Sequence, residues 1–436
     1  MRAMVVSGMA LIAATYGLAR FGYGLFLPRF TEAFQMGSAT AGFIQAGSFL
    51  SFCLAAVLAL RLAARPRLVV VCAGATAALG SMGVAVAPDV VVLAVSVVLA
   101  GAGAGFATPG LVTFIERNMA PARQENAQTI VNAGTGAGIV VAGILMLLTV
   151  GQWRLGWVAI AALVAMAAVA TLRADRSAGR DRAVGRPSQV RARDLAPLAW
   201  PIAAAVLAGA SSAAIWTFGR SVMAASRTGE ETYSILAWMV LGAFGVLGAA
   251  AGKIVQVWSL RAGWNLTSLA MAGATIVLGV APGTSLTAYS SVALFGASYT
   301  ALCGVLIIWA VRIVPDRAAE GTAVLFIALA IGQALGSATL GVLFDHVSPV
   351  LAFTVAGILG ILAVLPAMKR PLRRYDSGPH EIQGAPYANG ARLRESSSSA
   401  FSRPSLNSNA NSSPNAPSRV WPPPGPAAAT VDDLTR

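Results

Sequence analysis

Few residues of this sequence have types and surroundings that suit them to chemistry, and two arginines lead. Arg20 follows Tyr16 in "TYGLARFGYGLF" and Arg220 follows Trp216 in "IWTFGRSV", each within an otherwise apolar stretch. A guanidinium stays charged and presents its N–H donors in a flat fork that fits a carboxylate edge. Among apolar residues it needs backbone carbonyls, an aromatic face, water or an incoming anion. Gln45, Asn132 and Gln333 are neutral polar side chains in similar surroundings. Each reads equally well as a ligand contact or as a clamp between helices, because an unpaired polar group there costs free energy. Tyr16, Tyr23, Trp216 and Tyr299 are the aromatic residues that could stack on a ligand, although aromatics near the ends of apolar runs often only mark an interface.

Other chemistry is thin. There is no Ser-His-Asp set, metal-ligand cluster or Lys-bearing phosphate loop, and His346 and His380 are the only histidines. Cys53, Cys72 and Cys303 sit in apolar runs without metal-ligand spacing and read as packing residues. Gly101-Ala102-Gly103-Ala104-Gly105 is glycine-rich but lies inside an apolar run. No enzyme, cofactor or metal is expected. Glu116, Glu320 and Asp345 all stand near the ends of apolar runs, which argues against proton coupling through a carboxylate in the middle of one.

The elements that must position these residues are long and oily. Hydrophobic residues make up 56% and charged residues 11% of the chain, and the mean hydropathy is +0.71. These values exclude an ordinary soluble domain. A span needs roughly 20 apolar residues to cross a bilayer. Twelve such runs are predicted, at about 4–27, 38–60, 67–87, 89–115, 127–149, 153–172, 198–222, 232–253, 262–281, 284–311, 321–344 and 348–368. The excess of 31 basic over 17 acidic residues would suggest nucleic acid in a soluble protein. Here the basic residues gather between runs, seven of them arginines in 173–197, so a bilayer is the expected partner and nucleic acid is not. With the N-terminus inside, 26 of the 31 fall on the cytoplasmic side, which predicts that both termini are cytoplasmic.

The chain also repeats itself. "AGATAALG" at 73–80 recurs as "AGATIVLG" at 272–279. Gly134, Gly138 and Gly143 match Gly332, Gly336 and Gly341, and Tyr16–Arg20 aligns with Trp216–Arg220. Two six-span halves in the same orientation follow, 1–172 and 198–368, joined by the basic loop 173–197. Residues 369–436 are rich in Ser, Asn, Pro, Ala and Gly and predict a disordered cytoplasmic tail. Glycines four apart, such as Gly101/Gly105 and Gly332/Gly336, predict close helix packing, and Pro109 predicts a bend.

Two homologous six-span halves with a long basic middle loop resemble the major facilitator superfamily of transporters over about 1–368. "GLARFGYGLFLP" at 17–28, "ERNMAPARQENAQ" at 116–128 and "IWTFGR" at 215–220 resemble the bacterial YbfB/YjiJ-type branch within it. The resemblance implies an all-α membrane fold with spans five and eight, and two and eleven, at the seam between halves. It also implies that spans one, seven and ten line a central cavity, which would bring Tyr16, Arg20, Trp216, Arg220 and Tyr299 to a substrate. The sequence departs from the superfamily in two places. Ala64 stands where the loop after span two usually carries Asp, and span five lacks the proline of the antiporter signature. The expectation is a monomeric inner-membrane carrier for a small organic anion. Efflux of amphipathic drugs is the alternative, and a non-transporting receptor a more distant one.

Overall fold

The structure, a computed structural model, describes residues 2–149, 151–176, 196–247 and 259–368. It is all-α. Among the described residues, eleven helices are long and apolar enough to cross a membrane: α1 Arg2–Phe34, α2 Ser38–Arg61, α3 Pro66–Val86, α4 Val90–Asn118, α5 Pro121–Leu148, α6 Trp153–Ala174, α7 Ala196–Ser226, α9 Leu260–Val280, α10 Ser285–Ile313, α11 Pro315–His346 and α12 Pro349–Ala367. The shorter apolar helix α8, Glu231–Leu247, takes the eighth place. The rest of that predicted span, most of the basic loop and the whole tail lie outside the described residues.

Pairing within the bundle follows the sequence repeat. α1 packs on α5, α2 on α4, α3 on α4 and α6; correspondingly α7 packs on α11, α8 on α10, α9 on α10 and α12. Glycines make several of these approaches possible. A Cβ at Gly134 or Gly138 would strike the carbonyls of Met9 or Ala13, and one at Gly332 or Gly336 would strike those of Val206 or Ala210. The repeat-related glycines thus bring repeat-related backbones together, as expected where lipid gives helices no hydrophobic reason to associate.

Two further pairs, α2 with α11 and α5 with α8, join the two sets. Here too the contact is backbone on backbone. A Cβ at Gly42 would meet the Ser337 carbonyl, and Gly136 and Gly242 face each other's carbonyls. The third link is α1 with α7, where Gly24 lies against the carbonyl of Trp216.

The first helix differs from its sequence reading. The first run was predicted to end near residue 27, yet α1 continues through Pro28 to Phe34. Arg29 pairs with Glu32 one turn on, and Thr31 Oγ1 donates to the Leu27 and Pro28 carbonyls. These local bonds keep the polar end helical. Arg20 is therefore close to the middle of its helix.

Both α1 and α7 contain a π-helical segment, at Ala13–Arg20 and Ala214–Phe218. These segments overlap the aligned stretches Tyr16–Arg20 and Trp216–Arg220. Such wide turns are uncommon and gather at functional sites.

Candidate functional site

The Ala13–Arg20 segment aims Arg20 at the meeting line of the two helix sets. Arg20 is 4% exposed. Phe52 stands against the guanidinium with its ring centre 4.0 Å away, and Phe49, Phe21 and Tyr16 follow at 5.0, 5.3 and 5.6 Å. Aromatic faces attract a desolvated cation. Gln45, Phe49, Phe52 and Cys53 share one face of α2, which explains why the helix delivers two of these rings together.

From the opposite set, Gln333 on α11 accepts a hydrogen bond from Arg20 Nη2 at 3.2 Å. Its amide nitrogen donates to Tyr299 Oη at 3.1 Å and lies 3.4 Å from Ser212 Oγ. Those contacts orient the amide oxygen toward Arg20. Tyr16 Oη and Thr108 Oγ1 are hydrogen-bonded at 2.9 Å. Trp216 stacks on Phe21 at 4.0 Å between ring centres and stands edge-on to Tyr299 at 5.1 Å. Arg20, Tyr16, Trp216, Gln333 and Tyr299 thus form one linked cluster at the seam.

The charge at its centre is unusual. Arg20, Arg220 and Asp175 are the buried charged residues among those described. Asp175 pairs with Arg117, and Arg220 pairs with Glu231 at 2.7 Å. No described carboxylate lies within ion-pair distance of Arg20, and its Nε has no hydrogen-bond partner. Gln45 is completely buried with both amide atoms unpartnered.

Two predicted residues fall elsewhere. Arg220 does not join Arg20. Its Nε donates to Ser234 Oγ, its Nη1 to the Leu25 carbonyl at 2.6 Å, and its Nη2 to Glu231. Glu231 also takes two hydrogen bonds from Arg29, so Arg220 helps fasten one end of the bundle. Asn132 is exposed on α5. Phe49, Phe52, Thr108 and Ser212 were not singled out from the sequence. The phenylalanines carried a signal in their i+4 and i+7 spacing from Gln45; Thr108 and Ser212 carried none.

The two ends of the bundle differ. At the end bearing Phe34 and Ser38, Arg29 and Arg220 make the contacts just described, and Asp345 accepts from the amides of Ser38 and Ala39 at 2.8 Å. A recess of about 450 Å³ remains there, lined by Leu27, Ser38, Phe218, Ser221 and Phe344 among others. Toward the opposite end, Thr108, Val112 and Glu116 on α4 form a partly exposed stripe on the side of Tyr16. Tyr299, Cys303, Ile307 and Val311 do the same on α10. The Arg20 cluster is thus closed toward one end and approached by partly exposed residues from the other.

Long apolar helices in two repeat-related sets, meeting around a buried cation, define a membrane transporter. The chain belongs to the Major Facilitator Superfamily, whose family model matches residues 9–320. A search of the curated proteins finds no match. Among solved structures, the chain resembles a bacterial homolog of the human lysosomal transporter Spinster in an inward-facing and occupied conformation, with TM-score 0.67, 16% identity, and coverage of 84% of this chain and 96% of that one. It also resembles a D-xylose-proton symporter, with TM-score 0.67, 13% identity and coverage of 84% and 96%. The nucleoside transporter NupG is similar at TM-score 0.66, with 13% identity and coverage of 84% and 98%. These likenesses establish the fold.

Proposed function

We propose that this transporter carries a small organic anion by alternating access, with Arg20 as the recognising charge. The observation that carries this reading is the buried Arg20 guanidinium, which no described carboxylate balances. An ion taken out of water is costly unless it is paired. An anion arriving between the halves would supply the missing charge. Tyr16, Trp216, Tyr299 and Gln45 would complete the binding site, with Gln333 beside the Arg20 guanidinium, Arg220 acting at the closed end and Asn132 at the surface of α5.

In this reading, residues 1–172 and 198–368 are the two bodies that rock about the site. The basic loop 173–197 and the tail 369–436 are cytoplasmic, and the membrane is a bacterial inner membrane. The quoted motifs favour the YbfB/YjiJ-type branch. The end bearing Arg29 then faces outward, and the described state is closed to the outside.

The test is uptake by the purified protein in proteoliposomes, comparing organic anions with lipophilic cations. Arg20→Lys keeps the charge but loses the forked geometry, so it should weaken anion transport about tenfold. Arg220→Lys should affect anion affinity less. If Arg20→Ala moves every anion with unchanged affinity, the reading is lost. The ring cluster of Phe49, Phe52, Trp216 and Tyr299 favours one second reading, efflux of amphipathic molecules, and that outcome would move it forward.

A further inference from the structure

The guanidinium edge formed by Nε and Nη2 is the feature of Arg20 with the most to say about its ligand. Gln333 holds Nη2 through a single amide oxygen, and Nε beside it is unpartnered. A neutral amide has one acceptor atom, so it satisfies half of that edge; a carboxylate has two. The same chain shows the completed arrangement elsewhere. Arg29 donates from Nε to one oxygen of Glu231 and from Nη2 to the other. Edge-on pairs of this kind are among the stronger hydrogen-bonded contacts.

The surroundings restrict the rest of the molecule. Arg20 is the one buried cation among the described residues that is not ion-paired, Arg220 being held by Glu231. A second carboxylate on the ligand would be desolvated without a partner. The guanidinium is flanked by the rings of Phe52, Phe49 and Tyr16, and Trp216 and Tyr299 meet edge to face on the side of Gln333. Rings in such arrangements favour another flat ring over a hydrated aliphatic chain.

We infer that the cargo is a monocarboxylate with a flat apolar body, and that its carboxylate displaces Gln333 from Arg20 to span Nε and Nη2. Gln333 serves as a stand-in acceptor that holds the buried charge while the carrier is empty. Because Gln333 sits on α11 and Arg20 on α1, loading the site also removes a polar link between the halves. This inference rests on the anion-carrier reading and sharpens it.

Binding to the purified full-length protein in nanodiscs tests it, with benzoate, lactate, succinate and tetraphenylphosphonium as probes. Benzoate should bind at one site, about tenfold more tightly than lactate or succinate. Gln333→Glu places a fixed carboxylate beside Arg20 and should abolish benzoate binding while the melting temperature holds. Gln333→Met removes the competing acceptor and should tighten benzoate binding roughly threefold. Binding of lactate or succinate without benzoate overturns the proposed class and leaves an anion carrier. Binding of tetraphenylphosphonium with no anion removes both readings, and a protein that binds none of the four overturns the inference. If Gln333→Glu binds benzoate as the parent does, displacement is wrong. Should that variant not fold, Gln333→Met decides the point, because weaker benzoate binding would make Gln333 a ligand contact instead of a stand-in.

Discussion

Arg29 and Glu231, 202 positions apart in the chain, meet edge to edge, with the guanidinium Nε and Nη2 each donating to one carboxylate oxygen. Glu231 also receives Nη2 of Arg220, whose Nη1 reaches back to the Leu25 carbonyl. One carboxylate therefore ties together α1, α7 and α8 at the same end of the bundle. Opening that end must separate Arg29 from Glu231 and Leu25 from Arg220.

Glu231→Gln should loosen this closure. The Arg29 and Glu231 side chains are 26% and 24% exposed, so solvent already weakens their attraction. The pair is worth about 1 kcal/mol, or roughly a fivefold shift between closed and open states. The measurement is the rate at which a membrane-impermeant maleimide labels Ser221→Cys in a background without Cys53, Cys72 and Cys303. Ser221 lines the recess at that end. An unchanged rate would mean that the end is held by packing alone.

Arg220→Met should cost stability more than selectivity. Burial makes the arginine's hydrogen bonds to Ser234, Leu25 and Glu231 hard to replace, although Glu231 keeps Arg29. A loss of about 2 kcal/mol is expected, read as a lower melting temperature in detergent. The order of preference among transported anions should stay as it is; a reordered panel would place Arg220 in the binding site after all.

Gly24→Ala tests whether α1 and α7 must touch for closure. Its Cβ would collide with the Trp216 carbonyl and lie 3.1 Å from the Trp238 ring. Overpacking of this kind costs about 1–3 kcal/mol, and the closed end carries that cost. Labelling at Ser221→Cys should accelerate. Gly273→Ala is the control, since nothing lies within 4 Å of its added methyl. Equal behaviour of the two variants would remove the contact from the closing mechanism.

The orientation has its own test. A reporter active only in the cytoplasm should work when fused after Arg180 and fail when fused after Gly151. The reverse pattern would invert the membrane assignment, and with it the side to which Arg29 and Glu231 belong.

Much of the architecture was legible because hydropathy and repetition record it directly. The aligned glycines at 134/138 and 332/336 mark approaches that no larger residue permits, and the structure uses them in matching ways. Arg20 was legible as an anomaly, a permanent charge in an apolar helix. Its companions were harder to find. Phe52 is one apolar residue among many, and only the fold shows that its ring covers the guanidinium. Arg220 aligned with Arg20 yet has different partners, because Glu231 lies within its reach and no described carboxylate lies within ion-pair reach of Arg20. Repeats preserve backbone more faithfully than they preserve the chemistry of a side chain's neighbours.

The wide turns in α1 and α7 have a consequence for how the chain can vary in length. A residue inserted into a regular α-helix rotates everything beyond it by about 100°, which would carry packed side chains out of their places. A π-helical turn holds the extra residue locally. In α1 the segment before Ala13 packs on α5 and α6, while the segment after Arg20 packs on α7. The wide turn is itself packed, with Gly17 backbone against backbone on Gly138 of α5, so a residue gained or lost within Ala13–Arg20 leaves both neighbourhoods in register only where that contact is also kept. Length changes in the interior of α1 are thus limited by the Gly17–Gly138 contact, at the very stretch that sets where the Arg20 charge points.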